Sequence, residues 1–320
     1  MELDLIDKKI IYELGKNSRL SYKQIAQKIH SKKEVVAYRI NQLTKKEIIT
    51  KFVPVFDLSK LGVFSNKIYI RLKGLDKESE KKLYKSLAEN KKIAWIAKSV
   101  GRWDLLLGTY AKNIIEFSEI KQDILSKLSK YIQDYNIAQI EDAQIFNRDY
   151  LTKSATGYRK EFTFSGEVDN IELSNKESKI IDIIKNNARF TILDIANKLK
   201  LDPRTIIQTI KKLEERKILQ GYTVFLDLKK INFQLHKLCV YLQNYDKIAI
   251  SELVLSLKQN PNTIHLLKSL GSWELEIELE SDNLQEVYGY ISKLKNTFPE
   301  LIKQIDLVTI TDEIKLEFFP

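Results

Sequence analysis

The sequence predicts an α+β protein in which two three-helix, helix-turn-helix domains of winged type alternate with two ferredoxin-like α/β-sandwich domains of βαββαβ order. Three observations predict this class. The chain repeats itself at an offset of 170 residues, each repeat opens with helical periodicity, and the period then changes toward the two-residue alternation of strands. The predicted domains are residues 1–52, 53–150, 171–222 and 223–320, with a linker at 151–170.

The repeat is clearest in the helical part. Residues 3–62 align with residues 173–232 without a gap and share 15 identities in 60 positions. The same offset relates two copies of the motif Lys-Ser-x-Gly-x-Trp-acid-Leu, at Lys98–Leu105 and Lys268–Leu275. The chain is therefore a tandem duplication of one module.

Capping signals place the helices in each copy. The first helix has an apolar stripe at i, i+4, i+5 and i+8, and Gly15 is expected to end it; the stripe is Ile6, Ile10, Ile11 and Leu14. Capping boxes predict where the next two helices of this copy begin, at Ser21-x-x-Gln24 and Ser31-x-x-Glu34. The second copy uses other caps, namely Ser174-x-x-Glu177, Thr191-x-x-Asp194 and Asp202 before Pro203.

The remainder of each copy alternates between strand and helix patterns. In the first copy, Lys67–Gly74 reads as a half-buried strand, the helix after it contains Leu83 and Leu87, and Gly101 marks a turn between two further strands. A helix through Ile114–Leu128 and a last strand near Ile137–Phe146 complete the βαββαβ order. The second copy repeats the pattern up to Leu301–Leu316. Aromatic residues in the linker predict that it packs against a domain; they are Tyr158, Phe162 and Phe164.

Charge is concentrated in the two helical windows. Residues 1–51 contain twelve Lys/Arg and six Asp/Glu, and residues 171–221 contain eleven and seven, so these windows carry the whole net charge of +10. This distribution favours a polyanionic partner. The chain lacks a long apolar run, a signal-peptide pattern and a cysteine-rich cluster, which predicts a cytoplasmic protein with no membrane segment, metal or other cofactor. The single cysteine, Cys239, is expected in the core.

The third helix of each copy is the predicted recognition helix, with double-stranded DNA as its partner. Basic side chains are expected to contact phosphates; these are Lys32, Lys33, Lys45, Lys46, Arg204, Lys211 and Lys212. Side chains on the same faces are candidates for base contact; these are Tyr38, Arg39, Gln42, Thr205, Gln208 and Thr209. The two faces differ, so the two copies are expected to prefer different half-sites. A solvated Lys-rich surface is the alternative explanation for each face alone.

The helical part resembles the DNA-binding domain of the leucine-responsive regulator/AsnC (feast/famine) transcription regulators. The resemblance is carried by Leu-Asp-x-x-Asp-x-x-Ile, Asn-x-Arg-x-Ser/Thr, Ile-Ala and Arg-Ile-x-x-Leu with a closing Ile. It implies a sequence-specific transcription regulator whose ferredoxin-like domains pair through their sheets and respond to an amino acid. Four positions depart from the pattern: Glu47 and Lys217 replace a glycine, Thr209 replaces the arginine, and Glu274 replaces the aspartate of the strand turn.

The Gly-x-Trp motif is a candidate effector site under this resemblance. Backbone N–H groups at the glycines would meet a carboxylate, the acids an ammonium group, and the tryptophans an apolar body; the set is Ser99, Gly101, Trp103, Asp104, Ser269, Gly271, Trp273 and Glu274. The structural alternative is a hairpin glycine, a core tryptophan and a solvated acid. The duplication also predicts an intramolecular pseudo-dimer that associates further into homo-oligomers.

Two other functions remain open at this stage. Sirohaem decarboxylases have the same two-part plan, but their chemistry would require histidines and arginines around a tetrapyrrole. This chain has only His30, His236 and His265, and no histidine is duplicated, so an enzyme is not predicted. A protein-binding scaffold is the third function, and a steep salt dependence of DNA binding would distinguish the regulator from it.

Overall fold

The computed structural model describes residues 2–152, 159–317 and 319. The first half begins with the helices α1 (Leu5–Lys16), α2 (Tyr22–Ile29) and α3 (Lys33–Lys45). There follow β1 (Ile49–Phe56), β2 (Phe64–Leu72), α4 (Lys77–Glu89), β3 (Ile93–Gly101), β4 (Leu105–Ala111), α5 (Ile114–Leu128), β5 (Ile132–Phe146) and the short β6 (Glu161–Ser165).

The second half repeats this order. It has the helices α6 (Asn175–Ile184), α7 (Ile192–Leu199) and α8 (Pro203–Glu215), followed by β7 (Leu219–Leu226). The remaining elements are β8 (Gln234–Leu242), α9 (Lys247–Gln259), β9 (Thr263–Gly271), β10 (Leu275–Ser281), α10 (Leu284–Thr297) and β11 (Ile302–Leu316). The predicted α+β class and the βαββαβ order of both sheet domains are confirmed.

Four of the five predicted capping arrangements are confirmed, and two helix boundaries are wrong. The boxes at Ser21, Ser174 and Thr191 form in both directions, and Asp202 accepts the N–H of Arg204. The Ser31 box does not form, because α3 begins one residue later with Lys32 as a cap whose side chain makes no capping hydrogen bond. Gly15 does not end α1. A Cβ there would lie 2.4 Å from Asn147 Oδ1, so the glycine serves close packing.

The turn after each recognition helix holds a non-glycine residue in the left-handed region. Glu47 has φ 55° and Lys217 has φ 57°. These are the two positions where the resemblance described above implies a glycine. The turn geometry is therefore kept without the residue that adopts it most easily, at a cost on the order of 1 kcal/mol for each position.

The two ferredoxin-like halves form one closed sheet. Along it the strands pair in the order β2-β4-β3-β11-β8-β10-β9-β5, and β5 pairs back with β2. Each half has the internal order of a ferredoxin-like sheet, and its outer strand pairs with the last strand of the other half, β3 with β11 and β9 with β5. In the described part of the chain this ring of eight strands is a barrel without a free edge, which removes the unpaired backbone groups of two separate sheets.

Alternation along the strands separates an outer core from an inner one. Outward-facing residues pack under α4 and α5 in the first half and under α9 and α10 in the second. Inward-facing residues of both halves form a shared core inside the barrel, which contains Tyr69, Trp95, Trp103, Cys239 and Trp273. The predicted core position of Cys239 is confirmed, since the residue is fully buried.

A crossed ribbon connects the barrel to the helical units. β1 and β7 pair antiparallel, with Val53 opposite Thr223. The core of the first helical unit includes Val224 and Ile231 from the second half, and the core of the second unit includes Phe56 and Leu58 from the first. Each three-helix unit is thus completed by a segment of the other half.

The linker contributes a strand to the sheet. β6 pairs with β5, and Phe162 packs against Val55 and Ile145. The predicted packing of Phe162 and Phe164 is confirmed, whereas Tyr158 lies outside the described residues. Among the helices in the described ranges, none is both long enough and apolar enough to cross a membrane.

The close packing of β9 against β5 at Gly271 leads to a prediction about stability. Gly271 lies opposite Ala138, and a Cβ on it would lie 2.5 Å from the carbonyl oxygen of Ile137. We expect Gly271→Ala to lower the free energy of unfolding by about 1–3 kcal/mol, because the strand pair must separate locally. Chemical denaturation measures the change.

Gly289 in α10 provides the matched control. It is exposed, and a Cβ there would meet no atom within 4 Å. Gly289→Ala should raise stability by about 1 kcal/mol through helix propensity. Equal effects of the two substitutions would contradict the close approach at β5.

Candidate nucleic-acid interface

The recognition helices bury one face and present the other to solvent. In α3 the buried residues are Val36, Ile40 and Leu43, and in α8 they are Ile206, Ile210 and Leu213. Predicted phosphate-contact residues are exposed in both helices and at their ends; they are Lys32, Lys33, Lys45, Lys46, Arg204, Lys211 and Lys212. Both helices therefore present a basic surface that a duplex can approach. Lys211 also lies 3.5 Å from Glu215, an exposed pair that a phosphate can displace.

Candidate base-contact residues divide into exposed and partly buried groups. Tyr38 is 62% exposed and Gln208 is also exposed. Arg39, Gln42, Thr205 and Thr209 are half-buried, and the Thr209 hydroxyl donates to the Thr205 carbonyl over 2.8 Å. Sequence reasoning missed Ile207, which is 52% exposed beside Gln208 and offers an apolar group of the kind that contacts a thymine methyl.

Arg39, a predicted base-contact residue, forms ion pairs within the protein. Its Nη1 lies 2.8 Å from Asp4 Oδ2 and 3.4 Å from Asp7 Oδ2, so the guanidinium ties α3 to the start of α1. Burial raises the pKa of Asp7, and the neighbouring Asp4 adds to that rise while Arg39 opposes it. A guanidinium held by two carboxylates must give up these contacts before it can reach a base.

The second copy also has an ion pair between its first helix and the end of its third, but other residues form it. Glu177, the counterpart of Asp7, accepts from Arg216 Nη1 over 2.7 Å, and Arg216 follows α8 directly. Burial opposes ionisation, but the Ser174 backbone and hydroxyl and the Arg216 charge together hold the pKa of Glu177 below its ordinary value. Arg216 therefore links α6 to the end of α8, although Thr209 occupies the position of Arg39.

The two helical units contact each other through the Asn-x-Arg motif that both copies share. Arg19 Nη2 donates to the Phe190 carbonyl over 3.1 Å, and Arg189 Nη1 donates to the Ser18 carbonyl over 3.0 Å. The asparagine of each motif accepts the arginine's backbone N–H. Arg189 also lies over the rings of Tyr22 and Phe52. Identity at these positions in the repeat thus reflects a reciprocal contact that fixes one unit against the other.

The structure does not bring the Gly-x-Trp residues together as an effector site. Gly101 and Gly271 lie against the long strands of the opposite half, and Trp103 and Trp273 are buried inside the barrel. The hydroxyls of Ser99 and Ser269 donate to the tryptophan carbonyls. Asp104 and Glu274 accept the backbone N–H groups of Leu72 and Leu242, each over 2.8 Å. The structural alternative is therefore favoured, because these polar groups already serve the hairpin and the neighbouring strand.

A charged network crosses the interior of the barrel. Glu276 Oε2 lies 2.8 Å from Lys67 Nζ and 3.0 Å from Lys237 Nζ, and Glu278 Oε1 also contacts Lys237. Lys67 and Lys237 are equivalent residues of the two copies, whereas both glutamates come from β10. Although burial opposes ionisation, the two ammonium groups lower the pKa of Glu276 to about 2. Glu278 has its pKa lowered for the same reason.

A cavity of about 520 Å3 opens at the end of the barrel that faces the crossed ribbon. Inner-face residues of the barrel form one part of its wall, and residues from β1 and β7 form another. Its position between the sheet and the helical units was not predicted, because it arises only when the two halves close on each other.

Known proteins match this chain at three scales: the helical units, one half of the chain, and the fold of the whole chain. The profile of the family described as "Winged helix-turn-helix DNA-binding" matches residues 3–50 and again residues 173–220. An uncharacterized HTH-type transcriptional regulator of Pyrococcus abyssi is 27% identical over 146 residues, which are 45% of this chain and 97% of the relative. The chain therefore carries two copies of a winged helix-turn-helix DNA-binding domain.

Further matches extend over one half of the chain or over its whole length. An uncharacterized HTH-type regulator of Pyrococcus furiosus is 28% identical over 150 residues, 45% of this chain and 91% of the relative. Among solved structures, the siroheme decarboxylase NirDL covers 99% of this chain and 95% of its own length, with a TM-score of 0.63 and 14% identity. At that identity the likeness shows a shared fold alone.

The interior network makes a pH prediction. The ordinary pKa of Glu276 is 4.5 and the folded-state value is about 2, so protonation favours the unfolded chain. Its contribution to stability is complete above pH 4.5 and is lost as the pH falls toward 2. We expect Glu276→Gln to cost about 3 kcal/mol at neutral pH, because two buried ammonium groups lose a charged partner.

Denaturant unfolding between pH 7 and pH 3 measures this effect. The difference between Glu276→Gln and the unaltered protein should shrink on the acid side. Exposed Glu252 in α9 is the control, and Glu252→Gln should change stability little at any pH. A constant penalty for Glu276→Gln across the range would show that its charge does not provide the stabilisation.

Proposed function

We propose that the protein is a sequence-specific DNA-binding transcription regulator that places both helical units on one duplex. The observation that carries the proposal is the presence of two winged helix-turn-helix domains with exposed basic recognition helices in one chain. The net charge of the protein lies in these two units, which supports attraction to a phosphate backbone.

The proposed contacts follow the exposure of each side chain. Lys32, Lys33, Lys45 and Lys46 of the first unit, with Arg204, Lys211 and Lys212 of the second, would contact phosphates. Tyr38 and Gln42 would face bases in the first half-site, and Gln208 with Thr205 and Thr209 in the second. Because Tyr38 corresponds to Gln208, the preferred site is two different half-sites in a fixed order.

A fixed order requires a fixed geometry between the units. The reciprocal Arg19 and Arg189 contacts and the β1–β7 ribbon supply it within one chain. A related two-chain regulator would present two identical units, whereas this chain presents two different ones at constant separation. The duplication therefore suits an asymmetric operator.

Sirohaem decarboxylation is the second candidate, because the NirDL fold extends over nearly the whole chain and His265 lines the cavity. Charge argues against it. Sirohaem carries several carboxylates, while the cavity wall includes Glu278, Glu280 and Glu313. A shifted Soret band on mixing with sirohaem, followed by loss of carboxylates, would establish the enzyme; we expect neither.

Salt dependence tests the DNA-binding proposal. We expect the logarithm of affinity for a duplex to fall linearly with the logarithm of salt concentration, as measured by fluorescence anisotropy. The double substitution Lys32→Ala with Lys33→Ala should reduce the slope by about 1 for each phosphate contact removed.

Two lysines of α4 give a control with the same change in charge. Lys81 and Lys85 are exposed on the outer surface of the barrel. The double substitution Lys81→Ala with Lys85→Ala should leave the slope nearly unchanged. Equal slopes for both double variants, or no binding to duplex at low salt, would refute the proposed interface.

A further inference from the structure

The cavity at the end of the barrel that faces the crossed ribbon has two chemically different walls. In the first half, Trp95 of β3 lies opposite Gly108 of β4. At the equivalent positions of the second half, His265 of β9 lies opposite Glu278 of β10, with 2.6 Å between Nδ1 and Oε2. Duplication followed by divergence has thus produced an aromatic side and an ionisable side in one cavity.

Carboxylates outnumber basic groups around this cavity. Six acidic and four basic side chains line it among the described residues. Most of the basic groups are already engaged. Lys67 lies 2.8 Å from Glu276, Arg148 makes two contacts of 2.8 Å with Glu280, and Lys229 pairs with Asp312. An anionic ligand that contacts any of these three groups would therefore have to displace an existing ion pair.

Glu313 differs from the other acids. It lies on β11, where the Trp95 indole N–H donates to it over 2.9 Å, and no basic side chain of the described residues lies within ion-pair distance of it. Burial raises its pKa, the Trp95 hydrogen bond opposes the rise, and the charge of Glu278 adds to it. The side chain nevertheless remains accessible within the cavity. A cation placed there would gain a carboxylate that the protein itself does not neutralise.

We propose that this cavity binds an organic cation, an amine whose ammonium group contacts Glu313 and whose apolar body lies against Trp95 and Phe164. A volume of about 520 Å3 is in the range of small-molecule sites. Lys67 Nζ and Lys237 Nζ already lie 5.2 Å from the centroid of the Trp95 ring. The ring therefore serves the apolar body of the ligand, and Glu313 serves its ammonium group. Phe164 belongs to the linker strand β6 and also packs edge-on to His265.

The cavity is lined in part by the strands that follow the two recognition helices. Lys51 of β1 and Thr223 of β7 line it, and these strands begin four residues after the ends of α3 and α8. Occupancy of the cavity would therefore act on the segments that hold both recognition helices. Ligand binding itself does not rest on the DNA-binding proposal and is measured without DNA.

Calorimetry of the full chain with probes of matched shape and opposite charge tests the proposal. Tryptamine carries an ammonium group on an indole, and indole-3-propionate carries a carboxylate on the same ring. We expect tryptamine to bind and indole-3-propionate not to bind. Glu313→Gln should weaken tryptamine binding about tenfold or more, because a charged contact becomes a neutral one of the same shape.

Glu252→Gln on the outer helix α9 is the control and should bind tryptamine as the unaltered protein does. The thermal unfolding of each variant without ligand confirms that it is folded. Absence of tryptamine binding, equal binding of indole-3-propionate, or binding that is indifferent to Glu313→Gln would each overturn the proposal. If the protein binds tryptamine but no DNA duplex, the proposed regulatory function is refuted and the proposed cation site is retained.

Discussion

Closure of the barrel depends on two edge pairings, β3 with β11 and β9 with β5. Each half of the chain is a four-stranded sheet with two edges that would expose unpaired N–H and C=O groups if it stood alone. The last strand of each half, at 15 residues, is long enough to pair with its own sheet and then continue along the other. The two sheet domains are therefore one cooperative unit, although the sequence repeat suggests two.

This closure also determines the arrangement of the helical units. Because the halves are joined as a ring, β1 and β7 leave it side by side and pair across the pseudo-twofold relation of the two copies. Residues of each ribbon strand then complete the core of the opposite helical unit. The contacts of Arg19 and Arg189 add to a geometry that the strands have already set. Orientation of the recognition helices is thus a property of the whole chain.

Sequence patterns of neighbouring residues predicted the elements that local interactions determine. Apolar period and capping residues located the helices, and the repeat located both copies of the fold. Errors arose where a distant partner determines the outcome. Gly15 is required by Asn147, more than 100 positions later. The ion pairs of Arg39 with Asp4 and Asp7, at the start of α1, were likewise not predicted. The role of the Gly-x-Trp motif was open in the sequence, because a hairpin glycine against a foreign strand and a glycine against a ligand have the same local pattern.

The two copies differ in charge inside the barrel, and this asymmetry has a physical meaning. Lys67 and Lys237 are identical, yet Leu106 corresponds to Glu276, Gly108 to Glu278 and Ala143 to Glu313. A symmetric dimer would receive each of these carboxylates twice, and the same interior would then hold more negative charge than two lysines can neutralise. Covalent duplication removes that constraint, because an acid can be introduced on one side alone. An interior with one ionic and one aromatic wall is therefore accessible to this chain and not to a homodimer of either half.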